Sequence, residues 1–349
     1  RRLVDARFRY APGRLPDPRL LVVVVDDTSL TASPTLLGER ADEFSDRFEQ
    51  IFEAGASGVA VDFLLPQRWS ASPQFSRLVL THVDRLALAA TSGPDGQVVG
   101  PECIAGLTAA ALGPQRASAV FGFVDMEPDG DGVIRRARLT FQDTSGAQRD
   151  SFAVRSIRAA LGDGAITAAL QRQQADPPGE GFLIDAAVDR RRLSTLSWSR
   201  VPDQLAKDPA IFRDRLVLVG GSFVGSSDFH RLSGQRVPIE GVLVQALIMD
   251  TILKALPIRE IGIAMWLPIV FLAAWVAMEG SVLTHRFPMP TWTIAVAGAW
   301  VIAAVTLFVV AGWTVPILVP LATIVMAGVT ARFIRPLLKP FPRPDAGLV

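Results

Sequence analysis

Between Ile261 and Ala331 only Glu279 and Arg286 carry charge, whereas charged residues are scattered through everything before them. A stretch this apolar must be hidden from water. Ile261 to Met278 is free of charge, and about 18 to 20 residues rising 1.5 Å each cross a hydrocarbon layer roughly 30 Å thick. A helix in the core of a soluble protein would show a polar stripe, and this one has none. Two more charge-free runs follow, so the segment 258–334 is expected to hold three transmembrane helices, at about 261–279, 291–312 and 314–331. Trp266, Trp292 and Trp313 stand near the ends of the runs, where indole prefers the lipid–water boundary. The last two runs are separated by Gly312 and Trp313 alone, which calls for a tight hairpin.

Arginine and lysine set the expected orientation. The loop after the first run carries Arg286 and the tail carries Arg332, Arg335, Lys339 and Arg343, so both are expected in the cytoplasm. The tail, 335–349, is then a short basic cytoplasmic segment, and the large region 20–257 lies outside the membrane. Residues 1–19 read as a lead-in, expected to follow an unseen transmembrane helix. The net charge of +1 excludes the basic patch that a nucleic-acid partner requires. A single cysteine, Cys103, excludes an intrachain disulfide and a cysteine-based zinc site.

The region 20–257 reads as α/β. "LVVVV" (21–25), "GVAVDF" (58–63), "RLALAA" (85–90) and "RLVLVG" (215–220) are short continuous apolar runs, as expected of parallel strands buried on both faces. Between the first two, Phe44, Phe48, Ile51 and Phe52 recur at helical spacing before Gly55, which makes a βαβ unit with a right-handed crossover. "SAVFGFVDMEPDGDGVIRRARLTFQD" reads as two strands around an Asp-Gly turn, an inserted β-hairpin. Helices are expected at 152–161 and 165–173, a further strand at "RRLSTLSW", and a loop at "QRQQADPPGEG". The helix "IEGVLVQALIMDTILKAL" closes the region at Pro257.

In parallel α/β sheets ligands sit at the carboxyl ends of the strands. Here those ends carry Asp26, Asp27, Asp62, Ser222 and Asp228, the candidate ligand-binding residues. No catalytic set and no metal set is complete. Asp26 stands where the haloacid-dehalogenase phosphatases hold their nucleophile, but Asp-Asp-Thr-Ser places the second carboxylate one residue early. "GGSFVGSS" has phosphate-loop glycine spacing with Ser226 in place of the lysine, and Val224 breaks the nucleophile elbow. "DMEPDGDGVIRR" resembles a calcium loop, yet Arg136 occupies the position of the bidentate glutamate.

Taken together, "LVVVVDDTSL", "GASGVAVDFLL", "FGFVDMEPDGDGVIRRARL" with "SFAVRSI", "FRDRLVLVGGSFVGSSD" and "IEGVLVQALIMDTIL" resemble, in order, the type-two CHASE domain, a bacterial extracellular sensor module. The resemblance covers about 20–255, and a three-helix membrane segment typically follows. It implies a non-enzymatic signal-input protein of the bacterial inner membrane, periplasmic in its large domain. It also implies no cofactor, a homodimer in lipid, and a cytoplasmic kinase or cyclase output outside this stretch. The family's "GVEVHA" reads "GVLVQA" here, with Gln245 for the histidine. A docking subunit of a larger membrane complex is the alternative, and a membrane-tethered phosphohydrolase a lesser one.

Overall fold

Leu20, Leu21, Val22 and Val23 are each at most 1 % exposed, so the first strand is enclosed on both faces, as its unbroken valine run requires. In the computed structural model, which describes residues 2–92, 98–99, 102–116, 119–142, 147–175, 181–226, 228–283 and 289–337, it is the hub of a parallel sheet. The parallel strands are β1 (Leu20–Asp26), β2 (Gly58–Asp62), β3 (Leu86–Ser92), β4 (Phe121–Phe123), β5 (Ser194–Ser197) and β6 (Leu216–Ser222). Their spatial order is β5-β1-β6-β2-β3-β4. The register sets Asp26 beside Ser222 and Asp62 beside Gly220. Val98–Val99 adds a short antiparallel strand at the end of β3.

Every connection that moves rightward along this order carries its helix on one face. Helix α1 (Ala41–Glu53) buries Phe44, Phe48, Ile51 and Phe52 there against Leu21, Val23, Val59 and Val61. The helices Pro73–Thr81 and Val201–Lys207 join the same cluster through Phe75, Leu78 and Val201. The one leftward connection, from β4 to β5, carries α2 (Phe152–Leu161), which packs on β2, β3 and β4 from the other side. One hand of crossover therefore covers both faces. Trp198 stacks on Phe44 at 4.1 Å between ring centroids, and each such fully buried ring contributes roughly 1.5–3 kcal/mol. On the α2 side the fit depends on Gly122, where a Cβ would lie 2.6 Å from the Phe152 Cα.

Helix α3 (Gly241–Leu253) closes this unit and packs on β1, β6 and α2. The chain divides into two compact units, Arg2–Pro257 and a second holding Ile258–Val349. In the second, α4 (Ile263–Leu283), α5 (Met289–Ala311) and α6 (Leu318–Leu337) pack on one another. Two helical stretches, Ile263–Ser281 and Thr291–Ala311, are long and apolar enough to cross a membrane, and Leu318–Ile334 is apolar but shorter.

The structure corrects three expectations. The inserted hairpin does not form, because its first run is apolar enough to join the central sheet as β4 while its second run is cut by arginines. Val133–Ile134 pairs with Arg231–Leu232, Arg136–Ala137 with Phe182–Leu183, and Thr140–Gln142 with Gln148–Asp150. The tight Gly-Trp hairpin is instead a longer connection in which Trp313–Thr314 pairs with Arg259–Glu260 and α6 starts only at Leu318, after Pro316. The loop predicted from Gln171 is helical through Ala175; its remaining residues up to 180, like Arg286, Lys339 and Arg343, lie outside the described residues.

Candidate functional site

A cavity of about 520 Å³ opens where the strands end, within the size range of small-molecule pockets. Val25 of β1, Asp62 at the end of β2, Ala89 of β3, Val124 after β4 and Gly221 of β6 all face it. The loop after β6 adds Phe223, Ser226 and Asp228, the strand Phe229–Leu232 adds His230, and α3 adds Gln245. Its walls are mostly apolar and its polar groups converge.

Asp62 is the unusual member. It is 8 % exposed, and its buried Oδ2 meets no hydrogen-bond donor among the described residues. Burial, and secondarily the charge of Asp228, pushes its carboxyl up to about 8, so at neutral pH it is a protonated acid. The strand beside it makes room: a Cβ on Gly220 would lie 2.5 Å from the Val242 Cγ2 and 3.2 Å from the Asp62 Cβ. Gly220 therefore lets the start of α3 approach the sheet next to this carboxyl. The Ser226 Oγ, buried and without a partner among the described residues, belongs to the same cavity wall.

The neighbours of Asp62 are themselves held. Asp228 accepts from the His230 ring at 2.7 Å, and its carbonyl accepts from the Gly241 amide at 2.9 Å, at the first turn of α3. Asp125 Oδ1 accepts from the Thr91 hydroxyl at 2.6 Å. Gln245 donates to the Val124 carbonyl at 3.3 Å. Loop, strand end and helix thus meet through hydrogen bonds around the cavity.

Of the five residues expected at the strand ends, Asp62 and Asp228 line this cavity; Asp26, Asp27 and Ser222 do not. Asp26 caps the short helix Asp27–Thr31: it accepts from the Ser29 amide at 2.8 Å and from the hydroxyls of Ser29 and Ser197 at 2.6 and 3.0 Å. Burial works against its charge, yet those hydrogen bonds hold its carboxyl below the ordinary range. All three bonds fall on Oδ1, which makes this carboxylate the cap of the short helix. Asp27 accepts from the Val224 amide at 3.1 Å, pinning the glycine turn after β6, and Ser222 donates to Glu240 at 3.3 Å.

Sequence reasoning missed two charged centres. Arg135, whose side chain is 4 % exposed, donates to Asp129 at 2.6 Å, to Asp131 at 2.8 Å and to Asp5 of the N-terminal helix Arg2–Tyr10 at 2.6 Å. The apparent calcium loop is neutralised from within by this guanidinium. Asp250, fully buried, accepts from the Asp17 amide at 2.6 Å and from Lys254 at 2.7 Å. Its carboxyl is raised by burial despite the Lys254 charge. A lone aspartate in the apolar run "GVLVQALIMDTIL" was the visible signal, since a buried charge requires partners. Through Asp250 the end of α3 is tied to the lead-in segment before β1.

Residues 1–309 match the CHASE2 domain family model, which covers well over half of the chain. The chain belongs to the CHASE2 domain family. CHASE2 domains are extracellular sensor domains, which fits a recognition role better than a catalytic one. No curated protein and no solved structure matches the chain. Within this CHASE2 chain, the strand-end cavity holds two buried side-chain oxygens, Asp62 Oδ2 and Ser226 Oγ, that have no hydrogen-bond partner among the described residues.

Proposed function

We propose that this CHASE2 chain is a signal-input protein of a bacterial inner membrane. Its unit Arg2–Pro257 recognises a small molecule outside the membrane, and the helices α4 to α6 anchor it as three spans. The observation that carries the proposal is the buried Asp62 Oδ2, without a hydrogen-bond donor among the described residues, in a cavity at the carboxyl ends of a parallel sheet. An unmet buried polar group costs roughly 1–3 kcal/mol. Such a cost is retained where a ligand offsets it.

Helix α3 is the natural reporter of occupancy. Gln245 in its second turn faces the cavity, Asp250 in its last turn holds the lead-in segment, and in sequence it is followed directly by the membrane region. A ligand that shifts α3 relative to the sheet changes both chain connections of the domain at once. Arg332 and Arg335, near the end of α6, support a cytoplasmic placement of that end.

Thiol labelling in intact cells tests this reading. In a background with Cys103→Ser, Phe223→Cys in the cavity wall is expected to react with a membrane-impermeant maleimide without permeabilisation. Arg332→Cys is expected to react only after the membrane is opened. Labelling of both positions only after permeabilisation would place the cavity inside the cell and refute an extracellular sensor.

A further inference from the structure

We infer that the strand-end cavity takes a small organic cation, an amine with an apolar body, with Asp62 as its counter-ion. The inference rests on the reading of the cavity as the receptor site and names the ligand class. Three carboxyl groups, Asp62, Asp125 and Asp228, line the cavity, and no lysine or arginine does among the described residues. An anion would therefore enter a site with no fixed positive charge other than the one His230 can carry.

Two observations separate an organic amine from other guests. The Asp62 Oδ2 is buried and without a donor among the described residues, so it can accept a charge-assisted hydrogen bond from an ammonium group without giving up an existing partner there. The surrounding walls are aliphatic and aromatic, with Phe63 and Phe223 among them. They suit an apolar body and offer ring faces to a cation. A bare metal ion fits poorly, because no group of three or more acidic, histidine or cysteine side chains is gathered to hold one among the described residues.

Binding is then coupled to a proton. In the empty site Asp62 carries a proton up to about pH 8; an ammonium ion stabilises the carboxylate, so the proton leaves to solvent as the amine enters. The titratable groups facing the same cavity are Asp125 from the end of β4 and Asp228 and His230 from beyond β6. Asp228 is paired with His230 and Asp125 with Thr91. Asp62 is the group left to release the proton.

Isothermal titration of the full chain in lipid nanodiscs at pH 6.5 tests this, with 2-phenylethylamine, 2-phenylethanol and 3-phenylpropionate as probes. The amine is expected to bind at least about tenfold more tightly than the other two and to release close to one proton. Proton release is read from buffers of different ionisation enthalpy. Asp62→Asn, which keeps the side-chain volume, is expected to weaken the amine at least about tenfold and to abolish proton release; its denaturant midpoint verifies that it is folded. Equal binding of amine and alcohol, blocked by the cavity-filling Ala89→Phe, would overturn the cation while leaving the receptor cavity standing. Preference for the carboxylate, amine binding indifferent to Asp62→Asn, or failure of all three probes to bind would also overturn it.

Discussion

Asp62→Asn is expected to stabilise the domain at neutral pH, by roughly 4 kcal/mol, and to flatten its stability against pH. The sign follows from two protonation states. In the folded domain Asp62 keeps its proton up to about pH 8, whereas its ordinary value is 3.8. Between those limits the folded state holds one proton more than the unfolded chain, so stability falls as pH rises, by about 1.4 kcal/mol per pH unit from this group. Below that window its contribution is fully present, and above it the loss is complete. Denaturant midpoints of the two proteins between pH 4.5 and 8.5 should therefore converge at the acid end, separate as pH rises and level off near pH 8. Parallel curves would mean that Asp62 is ionised in the folded protein and has a partner.

Arg135→Met is expected to have an effect of the opposite sign. Only Arg135 is buried, while Asp5, Asp129 and Asp131 are partly exposed, so the loss is that of charge-assisted hydrogen bonds, roughly 1.5–3 kcal/mol, and the helix Arg2–Tyr10 also loses its anchor through Asp5. Burial disfavours the Asp5 charge, yet the hydrogen bonds from Arg135 and Ser233 hold it below the ordinary carboxylate range. Hydrogen bonds from Arg135 hold Asp131 below it as well. That stabilisation is present above about pH 4 and is lost as pH falls further. The variant should thus unfold at markedly lower denaturant at pH 7 and lack this part of the acid sensitivity. A shift below about 1 kcal/mol would show the cluster to be solvated.

The strands of the central sheet were legible because burial on both faces leaves a continuous valine and leucine run, and α1 because its four large apolar residues recur at helical spacing. The second half of the supposed hairpin was not legible. Its short pieces pair with segments as distant as Arg231–Leu232 and Phe182–Leu183, and no local period records such partners. The candidate site divides in the same way. That Asp62 and Asp228 end strands or follow them is written in the sequence; that Asp62 is buried without a donor depends on how α3 closes over Gly220. Asp26 looked equivalent to Asp62, and only the folded chain brings Ser197 of β5 to its carboxylate.

The same contrast gives the most direct test. Titration of 2-phenylethylamine into Asp62→Asn and Asp26→Ala separates the cavity carboxyl from the capping carboxyl. Asp26→Ala should lower stability by about 1 kcal/mol through the lost cap and leave the dissociation constant within about twofold of the unaltered protein. Asp62→Asn should raise stability and weaken binding at least about tenfold. Amine binding lost in Asp26→Ala and kept in Asp62→Asn would contradict the placement of the site.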